Sequence, residues 1–157
     1  MAQLALLNEN ILQLASFRLA DRLFGVNILD VREITREMEF TPVFHSPPEV
    51  KGYVNIRGKV YLILDLRTML GFPPGEPSSM SRLVIFKPEV GESFGVLVDQ
   101  VGDIINAPAD SVEYRAEFNE GQALQGEPHK NLILGECKLN NQLVIMLNPV
   151  NFLKVLE

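Results

Sequence analysis

The chain has 157 residues, 46% of them apolar, so a hydrophobic core can form without disulfides. Its net charge of −6 and the absence of any run of Lys and Arg argue against nucleic acid as a partner. The one cysteine, Cys137, excludes an internal disulfide framework and fits a reducing compartment.

Residues 1–13 start with an apolar run that breaks at Asn8, and they lack the basic leader of a signal peptide. This segment is predicted to be a tail or a short amphipathic helix, the helix being expected around 4–14. No later stretch reaches the ~20 apolar residues of a membrane-spanning helix. We therefore expect a cytoplasmic, unanchored protein without direct membrane insertion.

Short segments with alternating apolar residues follow, a pattern typical of half-buried strands that face a core on one side. Strands are predicted around 15–19, 24–28, 40–44, 51–56, 59–64, 82–87, 93–98, 132–139 and 142–147. Polar loops rich in Gly and Pro are predicted at 71–81 and 117–131. The pattern favours a mostly β protein.

Two short helices are predicted from capping residues. Asp65 follows a strand and is expected to cap a helix over 66–70. Asn148 is expected to cap a C-terminal helix over 150–156, with proline at its first position. The two helices occupy matching places in the two halves of the chain.

The halves of the sequence repeat. Phe24-Gly25-Val26-Asn27-Ile28 recurs as Phe94-Gly95-Val96-Leu97-Val98, at an offset of 70 residues. At an offset of 83 residues, Gly52 matches Gly135, Arg57-Gly58 matches Asn140-Asn141, and Leu64-Asp65 matches Leu147-Asn148. We infer two similar lobes, each a small curled sheet closed by a hairpin and a capped helical turn. The first is placed at roughly 22–81 plus terminal segments, and the second at roughly 82–148.

Candidate catalytic and metal-binding residues are few. His45 and His129 have no second His or Cys at ligand spacing, so no metal or cofactor is expected. Cys137 is predicted to be a packed or half-exposed thiol rather than a nucleophile, since no basic neighbour would lower its pKa. Asp65 and Asp99 follow apolar strands, where acidic catalysts often lie, but no base or nucleophile accompanies them. A non-enzyme is predicted, and a hydrolase using this pair remains a weak alternative that wide separation of the two carboxylates would exclude.

The turn Asn55-Ile56-Arg57-Gly58 is the most informative short segment. Gly58 can supply the positive φ that a tight hairpin loop requires, and Asn55 can bond backbone amides across the turn. Arg57 then projects from the tip. From the residues alone, a solvated turn arginine is favoured over a contact residue.

A wider set of residues resembles the CheW family of chemotaxis coupling proteins. The set comprises Val31-Arg32-Glu33-Ile34, Pro42, Pro47-Pro48, Lys51-Gly52, Asn55-Ile56-Arg57-Gly58, Asp65-Leu66-Arg67 and Phe94-Gly95-Val96-Leu97-Val98-Asp99. The resemblance covers 14–157, which is predicted to be one CheW-like domain. Leu62 stands where the family usually has proline, and Asn148 where Asp is common. These departures affect the subfamily more than the fold.

The resemblance implies a fold and a function. It implies two five-stranded SH3-like barrels packed together, with short capping helices and a C-terminal helix. It also implies a non-catalytic adaptor that couples the cytoplasmic tips of methyl-accepting chemoreceptors to the regulatory domain of the histidine kinase CheA at membrane receptor arrays. A CheW-like coupler of another system, serving pili or gene expression, is an open alternative. A coupling domain cut from a longer protein is a further alternative, against which Met1 and the C-terminal helix count.

The resemblance also implies site residues. Val31, Glu33, Ile34 and Arg57 match positions that contact receptor or kinase, while Asn55 and Gly58 hold the turn. Leu83, Val84, Val101 and Ile104 are candidates for an apolar groove between the lobes that takes the receptor's hairpin tip. Alternation alone leaves open that these four are core residues.

Overall fold

The structure, a computed structural model, describes residues 11–115 and 131–157. Its strands are β1 (Ile11–Leu19), β2 (Arg22–Asn27), β3 (Val31–Thr35), β4 (Val50–Ile56), β5 (Lys59–Asp65), β6 (Arg82–Phe86), β7 (Phe94–Val98), β8 (Gln100–Pro108), β9 (Val112–Tyr114), β10 (Ile133–Leu139) and β11 (Gln142–Leu147). Helix α1 is Leu66–Met69, and 3-10 turns lie at Ile28–Asp30, Ala109–Ser111, Pro149–Asn151 and Leu153–Leu156. None of these helices is long and apolar enough to cross a bilayer.

The strands form two sheets, which we call the six-stranded lobe (β8-β1-β2-β11-β10-β9) and the five-stranded lobe (β3-β6-β7-β5-β4). When each strand is matched with its counterpart in the sequence repeat, the two sheets have the same strand order, apart from the short edge strand β9. Each lobe, however, takes strands from both halves of the chain. In the six-stranded lobe β1 pairs with β8 and β2 with β11, and in the five-stranded lobe β6 pairs with β3 and β7 with β5. This exchange corrects the predicted division into lobes at 22–81 and 82–148.

The register of the exchanged strands follows the sequence repeat. β2 pairs in parallel with β11, placing Phe24 opposite Ile145, and β7 pairs in parallel with β5, placing Phe94 opposite Leu62. The two phenylalanines are 70 residues apart and their partners 83 apart, the same offsets as in the repeat. The mostly β fold and its internal duplication are therefore confirmed, while the lobes are interleaved along the chain.

Apolar side chains fill three clusters. Leu14, Ala107, Cys137, Val144 and Met146 lie within the six-stranded lobe, and Val54, Ile56, Tyr61, Ile63, Leu83, Ile85 and Leu97 lie within the five-stranded lobe. The largest cluster takes residues from both sheets, and we call it the shared core; it includes Phe17, Phe24, Phe86, Phe94 and Phe152. Because both lobes bury side chains in the shared core, we expect them to unfold together.

Local predictions are met in part. Asp65 caps α1 by accepting a bond from the Thr68 amide at 3.4 Å, and Asn148 accepts from the Val150 amide at 3.3 Å. The C-terminal segment forms 3-10 turns rather than the predicted helix. The predicted strand at 40–44 is reduced to one bridge, from Thr41 to Tyr53.

Some predictions concern residues at the chain's N-terminus and in the second polar loop. Within the tail predicted for 1–13, residues 11–13 begin strand β1, and 1–10 lie outside the described residues. His129 and all but one residue of the loop at 117–131 also lie outside the described residues.

Candidate interaction site

The β4–β5 hairpin presents Arg57 on a tight turn. Arg57 and Gly58 both have positive φ angles, 51° and 87°, as a two-residue hairpin loop with the strands' right-handed twist requires. The Asn55 side chain accepts a hydrogen bond from the Gly58 amide at 2.9 Å, which ties the turn across its tip. The Arg57 side chain projects outward and is 71% exposed.

Glu33 on β3 binds this arginine. A guanidinium nitrogen of Arg57, Nη2, donates a hydrogen bond to Glu33 Oε1. That bond lowers the pKa of the Glu33 carboxyl and raises the pKa of Arg57. β3 and β4 are the two edges of their sheet, so the contact requires the sheet to curl until its edges approach, as in a barrel.

A register shift in β3 sets which side chains share a face. Val31 pairs with Phe86 and Ile34 with Val84, and both partners belong to the shared core. Val31 and Ile34 therefore lie on the side of β3 that faces the other lobe. Glu33, which pairs with Ile85, lies on the opposite side. Val31 is half-buried, whereas Ile34 is 41% exposed at the rim of the shared core.

The matching strand of the other lobe, β8, repeats this arrangement. Val101 pairs with Phe17 and Ile104 with Ala15, and both partners again belong to the shared core. Val101 is half-buried and Ile104 is 54% exposed. Strands β3 and β8 thus each bring one half-buried valine and one exposed isoleucine to the margin of the shared core.

Leu83 and Val84 do not line a groove. Leu83 is 0% exposed within the five-stranded lobe, and Val84 is 1% exposed in the shared core. Both lie on β6, where successive side chains point to opposite faces of the sheet, so Leu83 enters one cluster and Val84 the other. The prediction that they form part of an open groove is corrected to core packing, while Val101 and Ile104 remain at the surface or its margin.

Asp99 lies in a junction between the lobes, directly before the chain enters β8. Arg67 of α1 binds its carboxylate through Nε at 3.0 Å and Nη2 at 2.7 Å, and the Ala20 amide donates to it at 2.9 Å. Burial raises the pKa of Asp99, but these bonds outweigh it and the pKa is lowered. The sequence pattern places Asp99 and Arg67 after strands but does not show that they meet, because they are distant along the chain.

The aspartates of the hydrolase alternative are not in distant parts of the molecule. Asp65 and Asp99 line the same small cavity with Arg67. Both carboxylates nevertheless have structural partners, because Asp65 caps α1 and Asp99 is held by the arginine. A carboxyl with a lowered pKa is a poor general acid near neutral pH.

Cys137 and His45 are the remaining candidates that lie within the described residues. Cys137 is buried, with Ser111 Oγ at 3.4 Å from its sulfur, and His45 lies in an exposed turn against the Phe44 ring. In the ranges 11–115 and 131–157, no three His, Cys, Asp or Glu side chains are grouped so that they could hold a metal ion.

Comparisons with known proteins agree with this architecture. A family model described as CheW-like domain matches residues 13–157. The chain is 37% identical over 114 residues to a probable chemotaxis protein CheW of Rhizobium etli, a match covering 72% of each chain. It is 39% identical over 93 residues to chemotaxis protein CheW of Rhizobium meliloti, covering 59% of each. The crystal structure of scaffolding protein TtCheW from Thermoanaerobacter tengcongensis matches with a TM-score of 0.74 and 25% identity, covering 87% of this chain and 88% of that one.

Proposed function

The chain belongs to the CheW-like domain family, and we propose that it is a non-catalytic adaptor coupling chemoreceptors to the regulatory domain of the histidine kinase CheA. It acts by binding alone, in the cytoplasm, at membrane receptor arrays. The relatives named as chemotaxis and scaffolding proteins support this role. The observation that carries the proposal is the rigid, exposed presentation of Arg57.

The ion pair with Glu33 prepares Arg57 for recognition. A guanidinium carries five N–H donors in a rigid fork, and Glu33 accepts from one nitrogen, Nη2. The lowered pKa of Glu33 keeps its carboxylate charged at neutral pH, so the guanidinium stays oriented. With most of the Arg57 side chain in solvent, the remaining donors are available to a carboxylate or carbonyl of a partner.

The apolar part of the site lies at the rim of the shared core. Ile34 and Ile104 are exposed isoleucines on the two edge strands, and Val31 and Val101 join them to the core. A helical tip that buries a few aliphatic side chains against such a rim gains most of its affinity from those anchors. We assign the rim to the receptor tip and the charged pair to the adjoining receptor or kinase contact.

The test is capture of each partner in a separate experiment. The immobilised chain is offered a chemoreceptor cytoplasmic fragment or a CheA regulatory domain. Arg57→Ala is expected to keep the fold and weaken capture of at least one partner by about tenfold or more, as loss of a hot-spot side chain does. Lys138→Ala is the control, because Lys138 is an exposed cation on the other lobe. Undiminished capture of both partners by Arg57→Ala would refute the assigned site.

A charge exchange separates recognition of Arg57 from support of the turn. The double variant Glu33→Arg with Arg57→Glu can rebuild the ion pair with its ends reversed. If a partner reads the Arg57 charge, the double variant stays as weak as Arg57→Ala. Recovery of capture would mean that the pair only stabilises the hairpin.

A further inference from the structure

Two tight turns lie side by side at one end of the six-stranded lobe. Ala20 and Asp21 join β1 to β2, Asn140 and Asn141 join β10 to β11, and all four have positive φ angles of 48°, 68°, 49° and 64°. Because β2 and β11 are parallel neighbours, both turns fall at the same end of the sheet. A cleft of about 510 Å³ opens beside them. That volume falls within the range of about 300–1,000 Å³ typical of ligand pockets.

The lining of the cleft combines cations with an apolar surface. Arg18 and Arg22 supply two guanidinium groups, and Leu23, Leu143 and Ile145 supply aliphatic carbon. Leu143 is 45% exposed, although it lies on a strand that has neighbours on both sides. An exposed leucine flanked by two arginines is a suitable contact for an amphipathic ligand.

The described residues offer neither arginine a carboxylate partner. Arg18 Nη1 donates to the backbone oxygen of Asp21 at 3.3 Å, and the Asp21 side chain also lines the cleft. Among residues 11–115 and 131–157, the ion pairs are Arg57 with Glu33 and Arg67 with Asp99. Within the described part of the chain, the cleft therefore gathers two cations without ion pairs, although the net charge is −6.

The duplication accounts for only part of this basic character. By the offsets of the repeat, the counterpart of Arg22 in the other lobe is Glu92, and the counterpart of Leu143 is Val60. The aliphatic residue recurs, so it suits the fold, but the arginine is replaced by a residue of opposite charge. Arg18, which follows Phe17, has a cation as its counterpart, because Lys87 follows the matching Phe86. Arg22 is therefore the cation that sets this lobe apart.

We propose that the cleft binds an acidic segment of a partner protein, with its carboxylates on Arg18 and Arg22 and an aliphatic side chain on Leu143. Guanidinium groups suit carboxylates because their planar N–H donors match the two oxygens. β2 and β11 are interior strands, so the segment cannot join the sheet by backbone pairing and is recognised through side chains. The cleft shares no residue with the Glu33–Arg57 site, so this inference does not depend on the proposed function.

A defined peptide tests the proposal. The isotope-labelled full chain is titrated with the blocked peptide Gly-Glu-Leu-Glu-Gly, and amide chemical shifts are followed. We expect saturable shifts at the two turns and at Leu143, with a dissociation constant of about 1 mM or below. The peptide Gly-Gln-Leu-Gln-Gly is expected to bind at least about tenfold more weakly, because it keeps the leucine and loses both charges. Equal binding of the two peptides, shifts elsewhere, or no shifts at about 10 mM peptide would overturn the proposal.

Variants and a small anion complete the test. Arg18→Gln with Arg22→Gln is expected to lower the affinity for the peptide at least about tenfold, while Arg32→Gln, an exposed arginine of the other lobe, leaves it unchanged. If the double variant does not fold, Arg22→Gln alone serves, since Arg22 is exposed. Glutarate carries two carboxylates without the aliphatic side chain, so it should bind at least about tenfold more weakly than the peptide. Equal binding of glutarate would indicate a small-anion site and overturn the proposal.

Discussion

The turns of the β4–β5 and β10–β11 hairpins have the same backbone shape but different chemistry. Arg57 and Asn140 have φ angles of 51° and 49°, and Gly58 and Asn141 have φ angles of 87° and 64°. Asparagine tolerates this conformation well and arginine does not, so the six-stranded lobe has residues that suit its turn. The five-stranded lobe keeps an unfavourable arginine and binds it to Glu33. An arginine at a turn position that asparagine would suit better supports the proposal that Arg57 contacts a partner.

The largest expected effect on stability comes from removing a phenylalanine side chain from the shared core. Phe17 and Phe86 occupy matching positions on β1 and β6, each 1% exposed in the shared core. Phe17→Ala and Phe86→Ala should each lower the free energy of unfolding by about 3–5 kcal/mol, because each leaves a large cavity. Urea unfolding measures both, and Phe44→Ala is the control, since Phe44 is 87% exposed. Costs that differ by more than about 2 kcal/mol would show that the lobes are not equivalent in the shared core.

A smaller effect is expected at the glycines where each sheet meets its edge segment. A Cβ at Gly52 would lie 2.7 Å from the Thr41 backbone oxygen, and a Cβ at Gly135 would clash with the Glu113 backbone oxygen. Gly52→Ala and Gly135→Ala should each lower the free energy of unfolding by about 1–3 kcal/mol, as overpacking against backbone does. Thermal unfolding measures both. If neither substitution lowers the free energy of unfolding, the edge segments are loosely held against the sheets. If only one does, the close contact between glycine and backbone exists in that lobe alone.

The contacts of Asp99 should make the free energy of unfolding depend on pH. The change should be about 1 kcal/mol, because the Asp99 side chain is partly exposed. The folded protein lowers the pKa of Asp99 below its ordinary 3.8, so the stabilisation is present above that pH and is lost as the pH falls below it. Asp99→Asn should remove this contribution to the pH dependence and leave that of Glu33, whose pKa is also lowered. Unfolding free energies between about pH 6 and pH 3 measure it. Parallel curves for the two proteins would contradict the prediction.

The smallest effect on stability is expected when one turn is made to resemble the other. Arg57→Asn places the counterpart residue in the five-stranded lobe, and the free energy of unfolding should change by less than about 0.5 kcal/mol, as at an exposed site. Partner capture should fall as in Arg57→Ala. Capture equal to that of the unaltered chain would show that the turn's shape, and not the arginine, is recognised.

Local chemistry was the part of the molecule that the sequence predicted well. The hairpin at Arg57-Gly58, the cap at Asp65 and the offsets of the repeat all depend on nearby residues or on direct comparison of segments. The edge strands β3, β8 and β9 were not predicted, because strands that bury little on either face show no clean alternation.

Strand pairing and contacts between distant segments could not be predicted from the same patterns. β2 has an apolar pattern that would suit either sheet, and only the whole core decides that its partner is β11. For the same reason, Leu83 and Val84 are predicted as groove residues, although the unbroken apolar run over 83–86 is typical of a strand buried on both faces. The Arg67–Asp99 pair and the cleft at Arg18 join segments that are distant in sequence, so nothing local predicts them.

The exchange of strands between the halves has a consequence for synthesis. β1 and β2 leave the ribosome first with only each other to pair with, since β8 and β11 are made much later. Contacts between segments so distant along the chain make folding slow and leave apolar strands uncovered meanwhile. A nascent chain stalled after β7 therefore has all the strands of the five-stranded lobe, whereas the six-stranded lobe still has only β1 and β2. Such a chain is a substrate for chaperones and proteases until its last strand arrives.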